Sequence, residues 1–146
     1  MADKFKLQTV LNHRQRLENL AQQRLADSLR REAQLQQQIA VQKAELNTLQ
    51  QEFTDRQQNG ITVDELQLFG LSIQRHRKAL RELLEQAERQ RREVAGNREQ
   101  LADAAREKKL LENLKEKKEA EQRYHEGRLE TAKLDDIALR LGKDPL

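Results

Sequence analysis

The chain has 146 residues, one proline and no cysteine; 36% of its residues are charged, 3% are aromatic, and its mean hydropathy is −1.03. That excludes a disulfide scaffold, thiol chemistry and a globular core able to enclose a catalytic cavity, and no apolar run is long enough to cross a bilayer. With 28 basic residues against 25 acidic ones the net charge is only +3, so the chain as a whole is no polycation.

A composition dominated by Ala, Glu, Lys, Leu, Arg and Gln belongs to coiled coils and long helices, provided that the few apolar residues fall on one stripe. In the first half they do. Leu7, Leu11, Ala21, Leu25, Leu35, Ile39, Leu46, Leu49 and Phe53 follow steps of four and three, a heptad seam that predicts a helix over about residues 5–57. Arg14, Glu18, Ser28, Glu32 and Gln42 interrupt the seam, and Val10, Leu17, Leu20 and Leu29 flank it, widening the apolar stripe.

The hinge is expected at about residues 58–62, in "RQQNGITVDEL". Asn59 and Gly60 tolerate the left-handed conformation that ends helices. Thr62 then reads as an N-cap, with Glu65 three residues on completing a capping box. Ile61 and Leu66 fit a hydrophobic staple, and Asp64 sits at the positive end of the helix dipole.

The second helix is expected over about residues 63–141. Leu66, Ile73, Leu80, Ala87, Val94 and Leu101 recur every seven residues. Phe69, Leu83, Ala104 and Leu111 form the companion row, with His76, Gln90 and Asn97 as its polar members, residues of the kind that set register at some cost in stability. Gly142 and Pro145 supply the stop. The fold class is therefore all-α: a single antiparallel coiled-coil hairpin over residues 1–146 whose second helix is the longer. Folded about Gly60, Phe5 falls beside approximately Lys115, and the remainder of the second helix overhangs by roughly 40 Å. An isolated helix of that length is marginal in water. Pairs such as Glu119–Arg123 help by a few tenths of a kcal/mol each and Gly127 works against it. The overhang carries Leu129, Leu134, Ile137 and Leu141, which leaves two readings, a frayed tail and, the favoured one, a segment ordered by a partner protein.

Catalytic, cofactor and metal sites are not expected. His13, His76 and His125 are far apart in sequence; Glu121 and His125 share a helical face, but "HEGRL" lacks the second histidine of a zinc-protease motif. Arg75, Arg77, Lys78, Arg81, Arg89, Arg91 and Arg92 make a basic face that could meet an acidic surface. Glu82, Glu85 and Glu88 alternate with them and stacking aromatics are missing, so nucleic acid is not the expected partner. The N-terminus, "MADKFKLQTVLNHR", has no apolar core of a signal peptide, and a cytoplasmic location is expected.

Three stretches, "FKLQTVLNHRQRLENLAQQRLA", "NGIT" and "EKKLLENLKEKKEAEQRYHEGRLETAKLDDIAL", together resemble the FliJ family of flagellar type III export proteins, over nearly the whole chain. The resemblance implies a non-enzymatic component of flagellum biogenesis, and so of motility and chemotaxis. Such a protein looks like the stalk of a rotary ATPase and inserts the end bearing both termini into the hexameric export ATPase, FliI. It is also associated with the export gate protein FlhA, binds export chaperones, and lies at the cytoplasmic face of the inner membrane. The ATPase-binding residues that the resemblance carries over are Phe5, Leu7, Val10, Leu11, Arg14, Glu18, Lys108, Leu111, Leu114, Lys115, Tyr124 and Arg128. For the gate they are Leu68, Phe69, Leu71 and Ile73, with Ser72 and His76 polar where family members often carry apolar residues. Two alternatives stand beside this one: a YscO-like stalk protein of a virulence secretion system, and a homodimeric coiled-coil spacer. The hairpin reading favours a monomer over a homodimer.

Overall fold

The computed structural model describes residues 2–142, with side chains from Lys6 onward. Two helices account for it: α1, Ala2–Asn59, and α2, Val63–Gly142. Gly142, expected just beyond the second helix, is its last described residue, and Pro145 lies outside the described residues.

The turn between the helices is built by the signals in its sequence. Gly60 has φ +97°, a backbone conformation that a side chain would strain. Thr62 caps α2: its carbonyl accepts from the Leu66 amide at 2.9 Å and its Oγ1 accepts from the Glu65 amide at 3.2 Å. The reciprocal half of the capping box is replaced. The Glu65 carboxylate takes Arg56, in the last turn of α1, at 3.2 Å, tying the two sides of the turn together. Asp64 and Glu65 place negative charge in the first turn of α2, where the helix dipole favours it.

The chain forms two compact units, Asn19–Ala102 and the pair of segments Met1–Glu18 and Asp103–Leu146. In the first unit the helices run antiparallel from the turn, and the seam is where the heptads put it, except that Leu66, expected to open it, is 41% exposed beside the turn. Ala21, Ile39, Ala87 and Val94 are buried; Leu25, Leu35, Leu46, Leu49, Phe53, Ile73, Leu80 and Leu83 are half-buried. Phe53 meets Phe69 near the turn, ring centroids 5.5 Å apart and planes tilted by 50°. Two of the interruptions, Ser28 and Gln42, are cross-links of the seam, while Glu32 is half-buried without one among the described residues. Ser28 has 0% of its surface exposed; its hydroxyl donates to the Leu25 carbonyl at 2.8 Å, and its own carbonyl accepts the Gln90 amide at 2.9 Å. Gln42 Nε2 lies 2.6 Å from His76 Nδ1 and also donates to the His76 carbonyl, while Asn97 Nδ2 donates to the Arg24 carbonyl at 3.3 Å. Buried polar groups are tolerated only when bonded, and no buried side-chain nitrogen or oxygen here lacks a partner. The flanking Leu20 and Leu29 remain exposed, so the apolar stripe is narrower than its sequence suggests.

In the second unit the first turns of α1 pack antiparallel on α2. Leu7 and Leu11 meet the half-buried side of α2 that carries Ala104, Lys108, Leu111 and Lys115. Here the heptad row of α2 passes from apolar residues to lysines. Arg14 pairs with Glu107, Lys108 with Glu18 at 3.4 Å, and Lys115 donates to Gln8 Oε1 at 2.8 Å. Glu119 is the last half-buried residue of α2. From Ala120 to Gly142 every residue is exposed.

Candidate protein-interaction surfaces

The exposed length of α2 is a helix held by its own turns. Among the described residues its side-chain interactions all link positions four apart: Gln122 to Glu126, Tyr124 to Arg128, Gly127 to Thr131, Asp136 to Arg140. Glu119 and Arg123, expected to pair, make no ion pair among the described residues; Glu112 instead takes Lys108 at 3.7 Å. On this helix Tyr124, 68% exposed, lies under the Arg128 guanidinium, whose carbon stands 5.9 Å from the ring centroid. Gly127 leaves a shallow notch beside them, lined also by Thr131, Ala132 and Asp135. Leu129, Leu134, Ile137, Leu139 and Leu141 are exposed as well. Large apolar side chains standing in water along several turns of one helix are what a partner covers.

The residues singled out near the two termini divide by environment. Leu7, Leu11 and Leu111 are half-buried between the helices, where they hold the pair together, and Arg14, Glu18, Lys108 and Lys115 span it. Val10, Leu114, Tyr124 and Arg128 face outward. Phe5 belongs to α1, but its side chain lies outside the described residues.

In the turn-proximal unit Phe69 and Ile73 are half-buried, whereas Leu68 and Leu71, off the seam, are 67% and 53% exposed. A separate groove of about 610 Å³ runs between the helices of this unit, walled by amides and carboxylates (Gln34, Gln38, Gln42, Glu45, Gln86) over Val41 and Leu83. The periodicity that located the seam could not single this groove out, because its walls come from both helices and depend on their register. Exposed Leu139, outside the residues singled out above, was legible only as one more apolar residue of the overhang.

No group of three or more His, Cys, Asp or Glu able to hold a metal occurs among the described residues. No described helix is long and apolar enough to cross a membrane. The geometry is that of a helical hairpin whose α2 carries exposed apolar side chains beyond Glu119, its last half-buried residue. Residues 3–144 match the family model described as Flagellar FliJ protein. The chain belongs to the FliJ family, and so to the proteins of flagellar export. No curated protein and no solved structure matches it.

Proposed function

We propose that the protein is a non-enzymatic, stalk-like component of the flagellar export apparatus, and that α2 beyond Glu119, together with the first turns of α1, enters the central opening of the hexameric export ATPase. The observation that carries this reading is the helix from Ala120 to Gly142, exposed on all sides and bearing Tyr124, Leu129, Leu134, Ile137 and Leu141. A ring of subunits can surround such a helix, whereas a flat partner would cover one face and leave the rest wet. The polar pairs beneath it, Arg14–Glu107, Glu18–Lys108 and Gln8–Lys115, give that end a mixed-charge collar with modest apolar contact at Val10 and Leu114. Contact of that kind holds a ring without locking it tightly at one angle.

The turn-proximal face with Leu68, Phe69, Leu71 and Ile73 serves the export gate in this reading, and the amide-rich surfaces of the hairpin serve export chaperones. The protein works as a cytoplasmic monomer recruited to the inner face of the membrane by these partners. The deciding experiment is co-purification of the chain, shortened after Lys117, with the export ATPase. Loss of the complex at an unchanged melting temperature is the expected result, and an intact complex refutes the plug. Light scattering tests the monomer: 17.2 kDa is expected, and twice that mass transfers the exposed helix to a second copy.

A further inference from the structure

Between Glu65 and Glu82 lies the longest stretch of the sequence without an acidic residue, and it contains Arg75, Arg77, Lys78 and Arg81. None of these four cations makes an ion pair among the described residues; about three turns further on Arg91 and Arg92 share Glu88. Leu68, Leu71, Arg75 and Lys78 follow at steps of three and four, with Arg81 three beyond, so they share the outward half of α2, opposite the seam of Phe69, Ile73, Leu80 and Leu83. Every one of the five is exposed, as is Val63 at the start of the helix. The face thus begins with three large apolar side chains in water and continues into unneutralised positive charge.

We propose that this face rests directly on a bilayer surface rich in anionic headgroups, independently of the ATPase and gate contacts. Three features favour lipid over an acidic protein. The positive charge is spread over an arc of the helix rather than drawn into a line, which suits a surface of uniform negative charge. Val63, Leu68 and Leu71 are positioned to sink to the acyl boundary while the long Arg and Lys side chains reach the headgroups. No carboxylate interrupts this face between Leu66 and Arg81, and exposed Asp64 and Glu82 lie on it only at its two ends, so the bilayer repels it less than it would the rest of the chain, where acids and bases alternate.

Co-sedimentation of the full chain with vesicles tests the inference, comparing phosphatidylcholine alone with a phosphatidylcholine–phosphatidylglycerol mixture at low and high salt. The chain is expected to bind the anionic vesicles, to ignore the neutral ones and to be released by salt. The variant R75Q/K78Q/R81Q, at exposed positions that leave the helix intact by circular dichroism, is expected to lose affinity on the order of a hundredfold. R91Q/R92Q is expected to bind as the parent does. Equal binding by the parent and the triple variant overturns the proposal, as does indifference to lipid charge. Retention on an immobilised polyglutamate column without vesicle binding also overturns it and assigns the face to an acidic protein. Because Leu68 and Leu71 serve both the gate reading and this one, the cation variants also separate the two: gate binding survives R75Q/K78Q/R81Q.

Discussion

The two units of the chain solve the same packing problem with different materials. From Asn19 to Ala102 the helices meet through small and apolar residues, with Ala21, Ser28, Ile39, Ala87 and Val94 buried and amides crossing to backbone carbonyls. In the unit containing both chain ends Arg14, Glu18, Lys108 and Lys115 stand beside half-buried Leu7, Leu11 and Leu111, and the contact adds two ion pairs and a lysine-to-amide hydrogen bond. Apolar burial stabilises by about 25 cal/mol per Å², whereas exposed ion pairs contribute about 0–1 kcal/mol each and are screened by salt. The difference teaches where stability resides: the unit near the turn rests on buried small and apolar residues, and the other leans more on polar pairs.

The largest test of that contrast is Ile39→Ala. At a buried position of the turn-proximal unit it should cost about 3 kcal/mol in urea unfolding, and Leu11→Ala, half-buried in the other unit, should cost less than half as much. Equal losses would erase the distinction. Next is Gly60→Ala, expected to destabilise by about 1–2 kcal/mol because a side chain must then adopt φ +97°. Thermal melting measures it, and an unchanged midpoint would mean that the turn relaxes at no cost. Gln90→Ala should cost about 1 kcal/mol by removing the hydrogen bond that Gln90 Nε2 donates to the Ser28 carbonyl. Gln90→Leu should recover that stability while broadening the cross-helix signals in NMR, since an apolar residue specifies register less sharply.

Two smaller effects probe the other unit. Gly127→Ala meets no atom within 4 Å and should favour the exposed helix by about 0.7 kcal/mol, seen as slower amide exchange around Tyr124 and no change in global melting. A rise in global melting would show that the exposed helix is coupled to the rest. Glu18→Gln weakens the pair with Lys108, whose side chains are 15% and 22% exposed, and should cost about 0.5 kcal/mol at low salt, a loss that 1 M salt relieves only in part. A salt-independent loss would make that contact part of a core.

Much of the architecture was legible because helical period and turn chemistry are local. Leu66, Ile73, Leu80, Ala87 and Val94 declare a seven-residue repeat whatever surrounds them, and Thr62 with Gly60 declares an end and a beginning. Ser28, Gln42, Arg14 and Glu18 read as faults in the seam because a linear pattern scores polarity without knowing what lies opposite. Placed against Gln90, His76, Glu107 and Lys108 they are its cross-links. Leu20 and Leu29 err the other way: apolar and next to the seam, they find nothing to cover them.

What the chain determined by itself is therefore everything that depends on neighbours within a turn or two: two helices, the hinge at Gly60, the faces that are apolar, and the four cations on an acid-free stretch. Only the tertiary arrangement decided which polar residues are satisfied, that Glu65 answers Arg56 instead of closing its own cap, and that packing ends at Glu119. Those outcomes depend on register between segments distant in sequence, and register is set by the sum of many weak contacts that no single residue announces.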